Sequence, residues 1–133
     1  MLVLLAGCDE SQPADDPEGL SGTCGLPTPE PGRKESVVPE IFVPDGAEIS
    51  RAQRERGGFI TAINVPLSVA GALAFYEDAV DKGGYEVIQS DNEGFEAELY
   101  LRRGKKLAAI QIRMSTCDDR SIVFVNEIVP DDT

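Results

Sequence analysis

The fold of this chain is decided by the stretch VPLSVAGALAFYEDAVDKGGYEV, residues 65–87. Ser68 is suited to the N-cap position, because its side-chain oxygen can accept a hydrogen bond from the first helical turn. Apolar side chains then recur at helical spacing, at Val69, Leu73, Tyr76 and Val80. The Gly-Gly pair at 83–84 is typical of a helix end. The stretch therefore predicts one amphipathic helix of about 15 residues, with its apolar stripe packed in a core.

The residues before this helix predict a β-hairpin. A Pro-Asp-Gly turn at 44–46 leads into a strand at about residues 47–53, and the sequence RERGG at 54–58 forms the tip. The return strand is predicted at residues 59–65. Its two faces carry alternate residues: Phe59, Thr61, Ile63 and Val65 on one face, and Ile60, Ala62 and Asn64 on the other.

Four further strands are predicted after the helix, at about residues 85–90, 95–103, 106–114 and 121–129. The last of them is apolar on both faces over residues 122–125, which predicts an interior position in the sheet. The element order is ββαββββ. We therefore expect an α+β, two-layer domain in which one helix packs on a mainly antiparallel sheet of about five to six strands.

Alternating strand directions assign the charged turns to opposite ends of this sheet. One end collects acids at Asp91, Glu93, Asp118 and Asp119. The other end collects bases, which we predict to contact an anionic partner, either a protein or an acidic envelope polymer: Arg54, Arg56, Arg102, Arg103, Lys105 and Lys106. The alternative is that these cations are solvated turn residues neutralised by acids of the helix.

Composition excludes several functions. The net charge is -12 and the chain has no histidine. Nucleic-acid binding needs a surplus of Lys and Arg, and Ser/His/Asp or Cys/His catalysis needs an imidazole. Residues 90–98 hold several acids without the spacing of a calcium loop. The acids fall on turns or outward strand positions, so we predict no catalytic residue, no metal site and no cofactor.

The N-terminus carries a different signal. The sequence LAGC at Leu5, Ala6, Gly7 and Cys8 resembles the lipobox of bacterial lipoproteins, whose cysteine is acylated with chains such as palmitate after the signal peptide is cleaved. The chain departs from that pattern because its apolar run is short and no Lys or Arg precedes it, which suggests a translation start placed too far downstream. The alternative is a buried N-terminal strand with a free Cys8. Residues 75–87 are similar to a helix-to-strand pattern of small bacterial lipoprotein domains, and this similarity implies fold alone.

This resemblance divides the chain into a residual signal segment at 1–7, an acylated tether at 8–36 and one α+β domain at 37–133. The tether is rich in proline, glycine and acidic residues, a composition that cannot bury a core. If Cys8 is lipidated, Cys24 and Cys117 remain as an even pair in an oxidising compartment, so we predict a disulfide between them. The alternative is two unrelated free thiols. The bond would tie the tether to the acidic end.

We therefore expect a lipid-anchored, extracytoplasmic lipoprotein of the bacterial cell envelope that acts as a non-catalytic interaction module. Asp9 resembles the residue that retains such lipoproteins at the inner membrane, on its periplasmic side, in diderm bacteria. Two alternatives remain open. One is a carboxylate-dependent hydrolase or metal-dependent enzyme of the envelope, and the other is a structural envelope component.

Overall fold

A computed structural model describes residues 24–27, 38–55 and 57–129. In these residues the regular elements run in the order β1 Glu48–Glu55, β2 Gly58–Val65, α1 Val69–Lys82, β3 Glu86–Asn92, β4 Glu96–Arg103, β5 Lys106–Met114 and β6 Ser121–Ile128. The α+β class and the ββαββββ order are confirmed. The lipobox, Arg56 and most of the predicted tether lie outside the described residues, so the proposed domain boundaries stay predictions.

The six strands form one sheet in the order β1-β2-β6-β5-β4-β3, and every neighbouring pair is antiparallel. The predicted interior strand is β6, which pairs with β2 on one side and with β5 on the other. Val123 and Val125 of β6 are fully buried. Ile122 and Phe124, on the other face of β6, are half-buried, as expected for a strand with a neighbour on each side.

Helix α1 follows the capping signals of its sequence. The Ser68 side chain accepts a hydrogen bond from the Gly71 N–H at 3.1 Å, and the Gly83 N–H donates to the Ala79 carbonyl at the other end. The face toward the sheet buries Val69, Ala72, Tyr76, Ala79 and Val80. Leu73 of the predicted stripe is only partly buried, against the margin of the core.

Part of the core is closed by a segment that carries no helical or strand periodicity. A short 3-10 helix, Glu40–Phe42, places the Phe42 side chain in the core with no exposed surface. The Tyr76 hydroxyl of α1 donates to the Phe42 carbonyl at 2.8 Å and so joins this segment to the helix. The segment and the helix together supply the second layer, so the core depends on both.

A disulfide links Cys24 to Cys117, as predicted. Cys117 lies in the β5–β6 turn, which the antiparallel order places at the same end as the β3–β4 turn. We call this end the disulfide end, and the opposite end, with the β1–β2 and β4–β5 turns, the cationic end. The four predicted acids are exposed near the disulfide end, at Asp91, Glu93, Asp118 and Asp119.

Gly58 begins β2 where the backbone of β6 leaves no room for a side chain. A Cβ atom there would overlap the Glu127 carbonyl oxygen, and only a backbone shift can relieve this overlap. We expect Gly58→Ala to lower the free energy of unfolding by about 3 kcal/mol, the upper part of the usual range for overpacking. Gly71→Ala is the matched control, since a Cβ there meets only ordinary contacts, beginning at 3.5 Å, and Ala favours a helix over Gly. Urea unfolding of both variants checks the prediction, and equal stabilities would contradict it.

Candidate functional site

A groove opens at the cationic end on the face of the sheet that carries α1. Its volume is about 390 Å³. One side is the β1–β2 turn, another is the β4–β5 turn, and Pro39 borders it from the segment before β1. The groove is lined by Pro39, Arg54, Glu55, Gly57, Gly58, Phe59, Arg103, Lys106 and Glu127. The two turns are far apart in sequence, so only the strand order brings them together.

Five of the six predicted cations lie among the described residues, and three of these five line the groove. Arg54 comes from β1, and Arg103 and Lys106 flank the β4–β5 turn. Lys105 is exposed in that turn, without lining the groove. Arg102 alternates with Arg103 and so points to the opposite face, where its guanidinium lies 3.4 Å from the Glu86 carboxylate. A role for these cations in partner binding remains a prediction.

Glu127 forms a buried acidic group at the base of the groove. Its side chain retains 5% of its exposure, and its Oε2 atom accepts a hydrogen bond from the Tyr85 hydroxyl at 2.6 Å. Lys106 Nζ lies 3.8 Å from Oε1, which is an ion pair slightly too long for a hydrogen bond. A buried carboxylate needs such partners, because desolvation disfavours its charge.

The expectation that all acids lie on turns or outward positions is wrong for Glu127. The signal was available in the alternation of β6, where Ser121, Val123, Val125 and Glu127 share the core-facing side. A charged residue on the same strand face as buried valines predicts a buried charge, which needs a hydrogen-bond or ion-pair partner. A search for clusters of acids along the sequence does not identify a single acid on the core-facing side of a strand.

Tyr85 contacts two groups that line the groove, Glu127 and Arg103. The Arg103 guanidinium carbon lies 4.6 Å from the centre of the Tyr85 ring, and Arg103 Nη1 donates to the Gly83 carbonyl at 3.3 Å. Burial, followed by the hydrogen bond to Glu127 and its negative charge, raises the pKa of Tyr85, and Arg103 acts in the opposite direction. The tyrosine therefore stays protonated at neutral pH and keeps donating to Glu127.

A second, smaller cavity of about 140 Å³ lies near the disulfide end. Asn64 lines it and donates through Nδ2 to the Pro27 carbonyl at 2.8 Å, whereas its buried Oδ1 atom has no partner among the described residues. The described residues contain no group of three or more His, Cys, Asp or Glu side chains that could hold a metal ion, and no helix long and apolar enough to cross a membrane.

No protein-family model matches this chain, and neither a curated protein nor a solved structure matches it. The residues of the site therefore have to be interpreted from their own geometry and chemistry.

Proposed function

We propose that this protein is a lipid-anchored, extracytoplasmic binding module of the bacterial cell envelope, without catalytic activity, that presents its cationic end to an anionic partner. The observation that carries the proposal is the Cys24–Cys117 disulfide. Structural disulfides persist mainly in oxidising compartments outside the cytoplasm. The pairing of Cys24 with Cys117 leaves Cys8 as the remaining cysteine of the sequence, and it stands at the end of the LAGC motif.

The position of the disulfide supports an orientation of the domain. Fifteen residues separate Cys8 from Cys24, and a flexible chain of that length spans about 20 to 23 Å. The strands are mostly eight residues long, so the cationic end is roughly 25 Å further from the anchor. On this geometry the groove faces away from the membrane that holds the protein, toward soluble or neighbouring partners.

Phase partition of whole-cell extracts tests the anchor. We expect the natural protein to enter the detergent phase and Cys8→Ser to enter the aqueous phase, because each buried acyl methylene contributes about 0.8 kcal/mol to membrane affinity. Cys117→Ser is the control, since it breaks the disulfide and leaves the acylation motif unchanged. Mass spectrometry of the N-terminal peptide completes the test, and an unmodified Cys8 thiol in a cytosolic protein would overturn the proposal.

A second candidate function is carboxylate-dependent hydrolysis in the envelope. It is favoured by one observation: Glu55 and Glu127 line the same groove, and glycoside cleavage uses two carboxylates. The Tyr85 hydroxyl donates a hydrogen bond to Glu127 Oε2, and this contact favours a structural role for Glu127 over a catalytic one. Incubation of the protein with purified peptidoglycan decides between the two functions. Release of reducing ends that Glu127→Gln abolishes would establish the hydrolase, and no release above a buffer control would leave the binding module.

A further inference from the structure

We propose that the groove at the cationic end binds a short acidic peptide segment of a partner protein, with a carboxylate of the peptide between Arg103 and Lys106. This inference rests on the proposed function as a binding module and assigns its ligand class. It follows from the mixture of charges in the groove, the arrangement of the two cations and the apolar groups at the border.

The charge balance favours a ligand with few negative charges. Among the residues that the structure describes, three cations and two carboxylates line the groove, a surplus of one positive charge. The predicted domain at 37–133 has seventeen acidic and ten basic residues and therefore a net charge of -7. A long polyanion, such as a phosphate-bearing polymer, would be repelled by the domain and by the two groove carboxylates. One carboxylate from a peptide matches the local surplus.

Arg103 and Lys106 lie opposite each other across β4 and β5, so both side chains are on the face of the sheet that borders the groove. Arg103 is held by its ring contact with Tyr85 and by one hydrogen bond to Gly83, which together fix the plane of a group that carries five N–H donors. The Lys106 side chain is 39% exposed, and its ammonium group stays near Glu127 without a hydrogen bond to it. A fixed guanidinium and an adjustable ammonium group can bind the two oxygens of one carboxylate.

The remaining groups of the groove suit a polypeptide better than a sugar or polyol phosphate. Pro39 and Phe59 contribute apolar surface to the lining. Val129, 37% exposed, packs beside Gly57, where a Cβ atom would lie 3.3 Å from it. Apolar surface of this kind gains from contact with aliphatic side chains. The half-buried Glu55 carboxylate can accept a hydrogen bond from a peptide N–H group.

Titration of the full chain with defined probes tests the inference, with Cys8→Ser present throughout so that no acyl chain intervenes. The probes are the peptide acetyl-Ala-Val-Glu-Val-Ala-amide, which carries one carboxylate, the same peptide with Gln in place of Glu, and inorganic polyphosphate. NMR amide shifts report the location of binding. We expect the acidic peptide to shift Gly57, Gly58 and Lys106, and the Gln peptide to bind about tenfold more weakly, a difference of about 1.4 kcal/mol.

Single neutralisations identify the binding side chains. Lys106→Gln and Arg103→Gln should each lower the affinity for the acidic peptide by about tenfold. Arg102→Gln makes the same change in net charge on the other face of the sheet and should change the affinity by less than about twofold. Urea unfolding of each variant verifies that it is folded. Because Arg103 also packs on Tyr85, Lys106→Gln decides the matter if Arg103→Gln does not fold.

Tighter binding of polyphosphate than of peptide would overturn the inference in favour of a polymer site. An equal loss of peptide affinity in Arg102→Gln would show general charge attraction instead of a specific site. If the peptide shifted no amide at the groove, the groove would not be the binding site. None of these results would change the expected acylation of Cys8 or the expected partition of the natural protein into detergent. Failure of the ligand assignment is therefore distinguishable from failure of the proposed anchoring, which the phase-partition experiment measures separately.

Discussion

Replacement of both Cys24 and Cys117 by serine should lower the free energy of unfolding by about 4 to 5 kcal/mol, close to the whole stability of a small domain. The two residues are separated by 93 positions, and a bond that closes so long a loop strongly restricts the unfolded chain. The bond also holds native contacts at the disulfide end. The Thr116 N–H donates a hydrogen bond to the Cys24 carbonyl at 2.9 Å. Leu26, two residues after Cys24, is buried.

Urea unfolding in oxidising buffer measures this loss, with Cys8→Ser in every protein to prevent exchange with a third thiol. Cys8→Ser alone serves as the reference, because Cys8 lies outside the predicted domain. Addition of dithiothreitol should lower the stability of the reference to that of the double serine variant and leave the variant unchanged. A double variant within about 1 kcal/mol of the reference would show that the bond adds little, as happens for some disulfides whose reduced state stays compact.

The elements of this fold could be predicted because their signals are local. The helix has an N-cap at Ser68, apolar residues at helical spacing and glycine at its end, and the structure places it at Val69–Lys82. Strand alternation located all six strands within a few residues. The two ends of the sheet also followed from alternation, because antiparallel neighbours return the chain to the same side after every second turn.

The covering segment before β1 could not be predicted in the same way. Residues 38–47 contain only a three-residue 3-10 helix, and so short an element has no periodicity to detect. Their position depends on long-range contacts, such as the hydrogen bond from Tyr76 to the Phe42 carbonyl. A pattern within ten residues carries no information about a partner 34 positions away.

The groove was partly predictable. Collecting cations at one end identified Arg54, Arg103 and Lys106, but the same reasoning included Arg102, which the strand pleat turns to the other face. Strand alternation distinguishes neighbouring arginines and was not applied to them. The buried Glu127 was missed for the opposite reason, since charge was taken as a sign of exposure. Assigning each charge to a face as well as to an end would have separated Arg102 from the groove and identified Glu127.

The pairing of Glu127 with Tyr85 lowers the free-energy cost of burying a carboxylate at the groove. A buried carboxylate with no partner destabilises a domain strongly, whereas a short hydrogen bond and a nearby ammonium group offset much of that desolvation. Arg103 is in turn held in place by Tyr85. The groove is therefore organised in advance of binding, which reduces the entropy lost when a ligand orders its contacts.

Phe42→Ala should lower the free energy of unfolding by about 3 to 5 kcal/mol, the usual range for truncating a fully buried aromatic side chain. The Phe42 ring is completely buried and lies 5.6 Å from the Tyr85 ring and 6.4 Å from the Tyr76 ring, so its removal opens a cavity between the covering segment and the helix.

The neighbouring Ile41→Ala is the matched control, because Ile41 is 37% exposed and should lose about 1 kcal/mol, in proportion to its smaller buried surface. Urea unfolding measures both variants, and amide shifts of Tyr85 and Lys106 report whether the groove is disturbed. If Phe42→Ala cost no more than Ile41→Ala, the covering segment would be a surface loop that the domain can lose, and the core would consist of the sheet and helix alone. A large loss together with shifts at Tyr85 would instead show that a segment without periodicity completes the core and supports the groove, since Phe42 contacts the same tyrosine that holds Glu127 and Arg103.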